Sequence, residues 1–347
     1  MRILLTVDPE IPVPPRLYGG IERIVGFLAE GLGEKGEEVT LLAHRSSEVK
    51  ARLRPWPALW SQHSSDALRN TLHVRRIWRT EGPFDVVHSF ARLMYLLPLL
   101  PQGIPKIQTY QRHVTPRSVR WGVFLAGSSL TFTACSRFLA EAARFRHERW
   151  EVVYNGARLN QYTCRESVPE TAPLLFLGRL DRVKGPHHAI GIARRTGRML
   201  ILAGNRAERG PDVEYFEREI KPSLDGSQIR WVGPVDDREK NELLGQAAAV
   251  VFPVEWHEPC GIVMVEALAC GTPVLATRRG SVPEMVVHGV TGWVADRPEQ
   301  LDEGVRGLPA ISRKTCREHA EKRFSAQVIA DQYHALYRDL IRNGSKP

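Results

Sequence analysis

"HEPCGIVMVEALACGTPV", His257–Val274, sets two glutamates eight positions apart around the start of an apolar run and closes on Gly-Thr-Pro. The run reads as a buried helix, with Gly271 as its stop and Thr272-Pro273 opening the next strand. Just before it, "AAAVVFPVEW", Ala247–Trp256, reads as the end of a helix and a buried strand. Strand, turn, helix and strand in that order are the repeating unit of a parallel sheet wrapped by helices. Glu258-Pro259-Cys260-Gly261 then falls beyond the carboxyl end of a strand, where open α/β sheets place ligands.

The same rhythm runs outward in both directions. Strands are expected near Ile3–Val7, Val39–Ala43, Val86–His88, Lys106–Thr109, Thr131–Ala134 and Val152–Tyr154. It restarts near Leu174–Leu177, Met199–Ala203, Ile229–Val232, Val250–Pro253, Val274–Ala276 and Trp293–Ala295. Between the halves, "NGARLNQYTCRESVPETAP", Asn155–Pro173, is polar and lacks either period, so it is expected to link two domains. "FSAQVIADQYHALYRDLI", Phe324–Ile341, has apolar residues at helical spacing and predicts a long amphipathic helix. The expected class is α/β, with two Rossmann-like doubly wound domains.

Bulk composition agrees with that reading. The 347 residues, 43% hydrophobic and 25% charged, are ordinary for a globular protein of two domains. "MRILLTV" runs into a proline-rich turn instead of a small-residue cleavage site, so a buried first strand is expected and not a signal peptide. No apolar stretch approaches the roughly 20 residues that span a bilayer, and a cytoplasmic location is expected. Five cysteines are odd in number and lack metal spacing, so neither a disulfide framework nor a zinc site is expected. A net charge of +9 invites nucleic acid, but the arginines are scattered and no recognition motif organises them. An anionic substrate or membrane surface fits that charge as well.

Four stretches carry chemical content. "RLYGGIERIVGFLAEGL", Arg16–Leu32, puts Gly19-Gly20 at the entrance of the first helix, where backbone amides can approach an anion; a plain tight turn is the competing reading. "LLFLGRLDRVKG", Leu174–Gly185, projects Arg179 and Lys184 from a strand end, five positions apart, a spacing that suits a diphosphate. A solvated basic loop capped by Asp181 competes with it.

In the opening stretch the helix is expected to begin near Glu258–Gly261. Eight helical residues rise about 12 Å, so Glu258 at the mouth and Glu266 two turns on would grip two hydroxyl-bearing ends of one elongated ligand. The free amides near Gly261, Ile262 and Val263 would face an anion between them. Sugar, phosphates and ribose in that order describe a nucleotide sugar. An unpaired Glu266 among Val263, Leu268 and Ala269 would be costly, which weighs against a merely solvated acid. "RRGSVPEMVVHGVTGWV", Arg278–Val294, adds Gly280 and Glu284 after the next strand, as a ligand contact or a helix cap.

These residues resemble the retaining glycosyltransferases of family 4, which have the GT-B fold. The resemblance runs over nearly the whole chain: "YGGIE", "VVYNG" at Val152–Gly156, "GRLDRVKG", "VGPV" at Val232–Val235, the Glu258/Glu266 E-x7-E pair, "EALACGTPVLAT", "GSVPEMVVHGVTGWV" and the closing "RFSAQVIADQYHALY". It implies domains at 1–155 and 156–325 facing a central cleft, and a helix at 326–347 that crosses back onto the first. The first domain would select the acceptor and the second would hold the donor. Arg179 and Lys184 would neutralise the donor diphosphate, Glu258 would hold the transferred sugar and Glu266 the ribose. Main-chain groups of Cys260, Gly261, Ile262 and Val263 would complete the cradle. Backbone near Val232 would meet the base, and Gly19 and Gly20 would close over the diphosphate. Family members place a histidine after the strand that corresponds to Lys106–Thr109; here "IQTYQRHVTP" has Gln111 and, two positions on, His113 as the candidate. Cys260 stands where a phenylalanine is common.

The implied reaction is hexosyl transfer from a nucleotide sugar, expected to be a UDP-sugar, with retention by same-face attack. No Asp-x-Asp pair suggests metal clamping and cations surround the expected phosphates, so no metal and no cofactor are expected. The acceptor is open: a small molecule, a glycan or a lipid-linked group. Between Arg112 and Arg149, seven arginines interleave with Trp121, Phe124, Leu125, Phe138 and Phe145. That is either a face for an anionic membrane, giving peripheral association, or two ordinary helices with solvated arginines. A GT-B epimerase or phosphorylase and a non-catalytic sugar-binding protein are the alternatives, and no nucleic-acid partner is expected.

Overall fold

Short leucine- and valine-rich segments flanked by helices bury both faces of each strand, the condition under which parallel sheets form. The computed structural model describes residues 1–15, 19–112, 114, 116–143 and 149–344. Its contacts divide the chain into two units, Met1–Asn155 with Ala326–Pro347, and Gly156–Ser325.

The first unit is built on strands β1 (Arg2–Thr6), β2 (Glu38–Ala43), β3 (Arg52–Pro55), β4 (Val86–Ser89), β5 (Lys106–Tyr110), β6 (Leu130–Ala134) and β7 (Trp150–Val152). They pair in the order β3-β2-β1-β4-β5-β6-β7, and every ladder is parallel. Its helices are α1 (Gly20–Glu34), α2 (Ser64–Glu81), α3 (Pro116–Ala126) and α4 (Arg137–Ala143). The second unit carries β8 (Leu174–Leu177), β9 (Leu200–Ala203), β10 (Ile229–Gly233), β11 (Ala249–Phe252), β12 (Val274–Thr277) and β13 (Gly292–Ala295). They are ordered β10-β9-β8-β11-β12-β13 and again parallel. Around them lie α5 (Pro186–Thr196), α6 (Pro211–Tyr215), α7 (Asp237–Gln246), α8 (Ile262–Ala269), α9 (Val282–Met285), α10 (Leu301–Gly307) and α11 (Arg313–Phe324).

The last helix, α12 (Ala326–Gly344), returns to the first unit. It buries Ile329, Ala330, Tyr333, Leu336, Tyr337 and Leu340, and Gly31 of α1 lets Ala330 pack where a Cβ would clash at 2.8 Å. Beneath it, His88 Nδ1 and the Tyr337 hydroxyl lie 2.6 Å apart, while His88 Nε2 and Thr109 Oγ1 lie 2.5 Å apart. All of these groups are buried, so each polar atom needs the partner it has.

Four boundaries differ from the sequence reading. β3, "RLRP", is absent from it, because an edge strand half open to solvent carries charges in place of the apolar run that marks a buried one. The strand expected at Val152–Tyr154 forms at Trp150–Val152; its ladder ends with Val153 N–H donating to Ala134 O, 3.1 Å. The tail helix starts at Ala326, because Phe324 closes α11 and Ser325 is extended between the two helices. The helix expected from about Glu258 starts at Ile262. Pro259 disfavours a helical Glu258, and Gly261 has φ +65°, outside the right-handed helical region.

Candidate functional site

In the second sheet the chain steps from β8 outward to β9 and β10, then returns to the other side of β8 with β11. At such a reversal the loops leaving the two central strands diverge and open a crevice at their carboxyl ends. Those loops are Gly178–Gly185 and Pro253–Gly261, so the topology brings Arg179, Lys184 and Glu258 to one end of one sheet.

Two glycines set the approach of the loops. Gly185 has φ +73°, and a Cβ there would drive into the Pro253 carbonyl. Gly280, at φ +58°, lies so close to Glu258 that a Cβ would meet its backbone nitrogen at 2.6 Å. Ser281 N–H donates to Glu258 O, 2.9 Å, and Thr277 Oγ1 donates to Val254 O, 2.6 Å. Glu258 is thus seated against the backbone of Gly280 and Ser281. Gly280, read from sequence as a turn or a ligand contact, is the floor under it.

The two glutamates have matching surroundings. Glu258, 7% exposed, accepts at Oε2 from Lys184 Nζ at 2.6 Å and from Trp256 Nε1 at 2.9 Å. Glu266, 4% exposed, accepts at Oε1 from Lys240 Nζ at 2.7 Å and from the Tyr162 hydroxyl at 2.7 Å. In each case one cation and one aromatic donor converge on a single oxygen. Among the described residues, the other oxygen of each carboxylate has no hydrogen bond within the protein. Lys184 also lies 4.8 Å from the centre of the Trp256 ring. Burial opposes the charge on Lys240, but its ion pairs with Glu266 and Asp237 outweigh burial and hold its pKa above the ordinary lysine value.

Lys240, Tyr162 and Trp256 are absent from the sequence reading. Tyr162 lies in the segment taken for a linker, which instead packs as part of the second unit: Thr163 N–H donates to Asn241 Oδ1, 2.9 Å, and Arg165 N–H to Cys270 O, 3.2 Å. Lys240 lies on α7, whose "DDREK" start forms a capping box between Asp236 and Glu239. A need for a counter-charge at a buried Glu266 was the one signal that pointed to a cation there.

Cys260 is buried and Gly261 caps α8. Ile262 and Val263 are its first two residues, so their amides have no acceptor within the helix. Glu266 stands only four residues beyond Ile262, about 6 Å of helical rise. The remaining separation from Glu258 is irregular loop, a correction to the two turns expected.

Arg179 takes a different partner from Lys184. It is 57% exposed and pairs with Asp181 at 2.8 Å. With Asn205, Arg206, Trp231 and Pro234 it lines a cavity of about 670 Å³. Val232 is half-exposed, and next to it Trp231 Nε1 donates to Gly204 O, 3.0 Å. Glu284 lies on α9, and its carbonyl accepts from Arg323 Nη1 at 2.9 Å.

Gly19 and Gly20 belong to the first unit. Gly19 caps α1 at φ +151°, and a Cβ there would meet Glu22 Oε2 at 2.8 Å, so the helix entrance has a carboxylate of its own beside it. Burial raises the pKa of Glu22. Asp8 is pushed up to about 6, by burial first and then by Glu10, against the opposing pull of Arg92 and Arg112. Gln111 Oε1 accepts from Asn155 Nδ2 at 2.7 Å. His113 lies outside the described residues.

Two family models match the chain: Glycosyltransferase Family 4 over residues 18–161 and Glycosyl transferases group 1 over residues 166–323. YtcC of Bacillus subtilis (strain 168), provisionally named a glycosyltransferase, is 28% identical over all of this chain and 94% of its own. AviGT4, a glycosyltransferase involved in avilamycin A biosynthesis, superposes with a TM-score of 0.74 at 27% identity, covering 98% of both chains. Anabaena Alr3699/HepE, crystallised with UDP-glucose, shares the fold with a TM-score of 0.72 at 19% identity, over 98% of this chain and 100% of its own.

Proposed function

Because the chain belongs to the family 4 glycosyltransferases of the GT-B fold, we propose that it moves a hexosyl group from a nucleotide sugar, a UDP-sugar, with retention and without a metal on the diphosphate. The observation that carries the proposal is the matched pair: Glu258 and Glu266 each have one oxygen held by a cation and an aromatic donor, and the other without a hydrogen bond among the described residues. Two buried acceptors flanking the start of a helix suit a ligand with a polyol at each end and an anion between. Glu258 would take the sugar hydroxyls and Glu266 the ribose. Phosphate oxygens would meet the amides of Gly261, Ile262 and Val263 and the Lys184 ammonium. Arg179 and Trp231, which line one cavity, would lie toward the base, with the backbone at Val232 beside them. HepE, which was crystallised with UDP-glucose, supports a uridine donor.

In the reaction the bond between the anomeric carbon and the phosphate oxygen breaks, and the acceptor oxygen bonds to that carbon from the same face. The acceptor proton passes to a phosphate oxygen. Negative charge builds on the departing diphosphate, so fixed cations and helix amides there lower the barrier more than at any other point. Family resemblance is the warrant for retention.

The acceptor is proposed to be lipid-linked or held at an anionic surface. α3 exposes Trp121 (65%), Phe124 (78%) and Leu125 (38%) beside exposed Arg117 and Arg120, the composition of an interfacial helix. Arg144, Phe145 and Arg146 of the same basic stretch lie outside the described residues. No helix among the described residues is long and apolar enough to cross a membrane.

Hydrolysis and binding measured across UDP-, GDP- and ADP-hexoses, with Glu258→Ala as control, test the donor. The reading stands if UDP-sugars are turned over, Glu258→Ala loses that turnover, and added Mg²⁺ or Mn²⁺ brings no gain. It fails if no sugar nucleotide binds. Sedimentation with anionic vesicles at low and high salt tests the surface: salt-reversible binding is expected, and none with Trp121→Ser/Phe124→Ser.

A further inference from the structure

Next to the donor-site loops stands a cluster that the reaction above does not use. His187 and His188 form the first turn of α5, directly after Pro186, and Glu255 follows β11. Glu255 Oε1 lies 2.9 Å from His188 Nε2 and 3.2 Å from His187 Nε2, and one ligand atom from each of the three residues falls within 4.8 Å of the others. From these contacts we propose that His187, His188 and Glu255 form a three-ligand site for a divalent transition cation, Zn²⁺ foremost, which pins the start of α5 to the loop carrying Trp256 and Glu258.

Tetrahedral zinc with bonds of about 2.0–2.2 Å keeps its ligand atoms roughly 3.3 Å apart, so two of the three separations already match. The donor set, two imidazoles and a carboxylate, is one that zinc accepts, with a fourth position left to water. Glu255 is partly exposed, which gives the ion a way in. Behind the ligands, the Tyr215 hydroxyl lies 2.6 Å from His187 Nδ1. A hydrogen bond on the far nitrogen is the usual means of fixing a ligating imidazole.

The scaffold is rigid where the ligands attach. Glu255 N–H donates to Val183 O, 2.9 Å, and Gly185 seats against the Pro253 carbonyl, so the two loops are joined on either side of the cluster. Nearby cations are already engaged. Arg182 pairs with Glu219 and covers the Tyr215 ring at 4.8 Å, while Lys184 is held by Glu258.

The cation would not touch the donor. It would fix the position of the β11–α8 loop, and so of Glu258, from the side away from α8. The binding test needs no sugar nucleotide, so its failure leaves the donor reading standing.

The full chain, stripped of metal and exchanged into chelator-free buffer, is titrated with Zn²⁺ against a competing chelator by calorimetry, and with Co²⁺ by visible absorption. One equivalent is expected, with the band pattern of a four-coordinate nitrogen/oxygen site and a higher unfolding temperature in Zn²⁺. His187→Gln/His188→Gln should lose that equivalent, and Tyr215→Phe should weaken it by about 10- to 100-fold. Should the double variant fold poorly, Glu255→Gln serves, read by the same loss of affinity. Absence of saturable binding, retention of the equivalent in these variants, or a thiolate charge-transfer band, which would place the ion on cysteine, overturns the proposal.

Discussion

Lys184 Nζ stands 2.6 Å from Glu258 Oε2 and joins the loop after β8 to the loop after β11, the two adjacent strands at which the strand order of the second sheet reverses. The contact gives a nearly buried carboxylate a counter-charge. Loss of the cation should therefore cost both catalysis and stability: Trp256 still donates to the same oxygen, but the nearly buried carboxylate loses its counter-charge, at about 3–5 kcal/mol. Lys184→Met is expected to lower kcat/KM by about 10²–10³-fold, the usual cost of one group that faces developing charge. Steady-state rates with UDP-sugar check this, and urea denaturation checks the accompanying loss of stability.

Lys240 and Tyr162 share Glu266 Oε1 but do different work. Lys240→Ala strands a carboxylate that is 4% exposed and should cost about 3–5 kcal/mol of stability. Tyr162→Phe removes one hydrogen bond to a charged group, worth roughly 1.5–3 kcal/mol, and keeps the ring. Urea denaturation should rank the two in that order. Calorimetry with UDP should show weaker binding for Tyr162→Phe, since the carboxylate loses half of its anchoring.

Gly280→Ala is predicted to be severe for a substitution of one methyl group. Its Cβ would meet Glu258 N at 2.6 Å, on a backbone with φ +58°, so Glu258 must shift. Strain of about 1–3 kcal/mol and a fall in kcat of tenfold or more are expected. Gly289→Ala is the control: φ there is +76° but a Cβ meets no atom within 4 Å, so it should lose some stability and keep its rate.

His88 predicts a pH dependence of the first unit. Burial alone pushes its pKa down from 6.5 to about 3. The folded pKa lies below the unfolded one, so between about pH 6.5 and 3 the unfolded chain binds the extra proton. The stability His88 supports is therefore present above pH 6.5 and falls as pH drops, by up to about 1.4 kcal/mol per unit. Asp8 acts in the opposite sense. Its folded pKa of about 6 lies above 3.8, so its contribution is present below about pH 4 and lost as pH rises through 6. Urea unfolding between pH 4 and 7 should show a shallower acid loss in His88→Asn than in wild type; an unchanged slope removes His88 as the cause.

Truncation after Ser325 should unfold the first unit. Six α12 side chains from Ile329 to Leu340 are buried, five of them large, and at about 1.5–3 kcal/mol for each of those five their loss is on the order of 10 kcal/mol, comparable to the whole stability of a domain. Limited proteolysis is expected to degrade residues 1–155 and to spare 156–325.

Both α/β units were legible in the sequence because every buried strand of a parallel sheet must be an apolar run and every crossover a helix-length segment. The order of those runs also placed Arg179, Lys184 and Glu258 at strand ends, a consequence of chain connectivity alone. Edge strand β3 was not legible, since its burial is partial and its residues are charged. Nor was the start of α8, which a proline and a left-handed glycine hold back to Ile262.

What the sequence by itself determined was the fold and one half of each polar pair: a glutamate in an apolar run demands a partner, whatever its identity. What only the tertiary structure decided was the partner. Tyr162 and Lys240 reach Glu266 from 104 and 26 residues away, and Glu255 meets His187 and His188 across 68 and 67 residues. Periodicity records which face of an element is buried. The side chain that arrives from another element is chosen by loop length, strand order and close backbone approach, and these leave no pattern at short range.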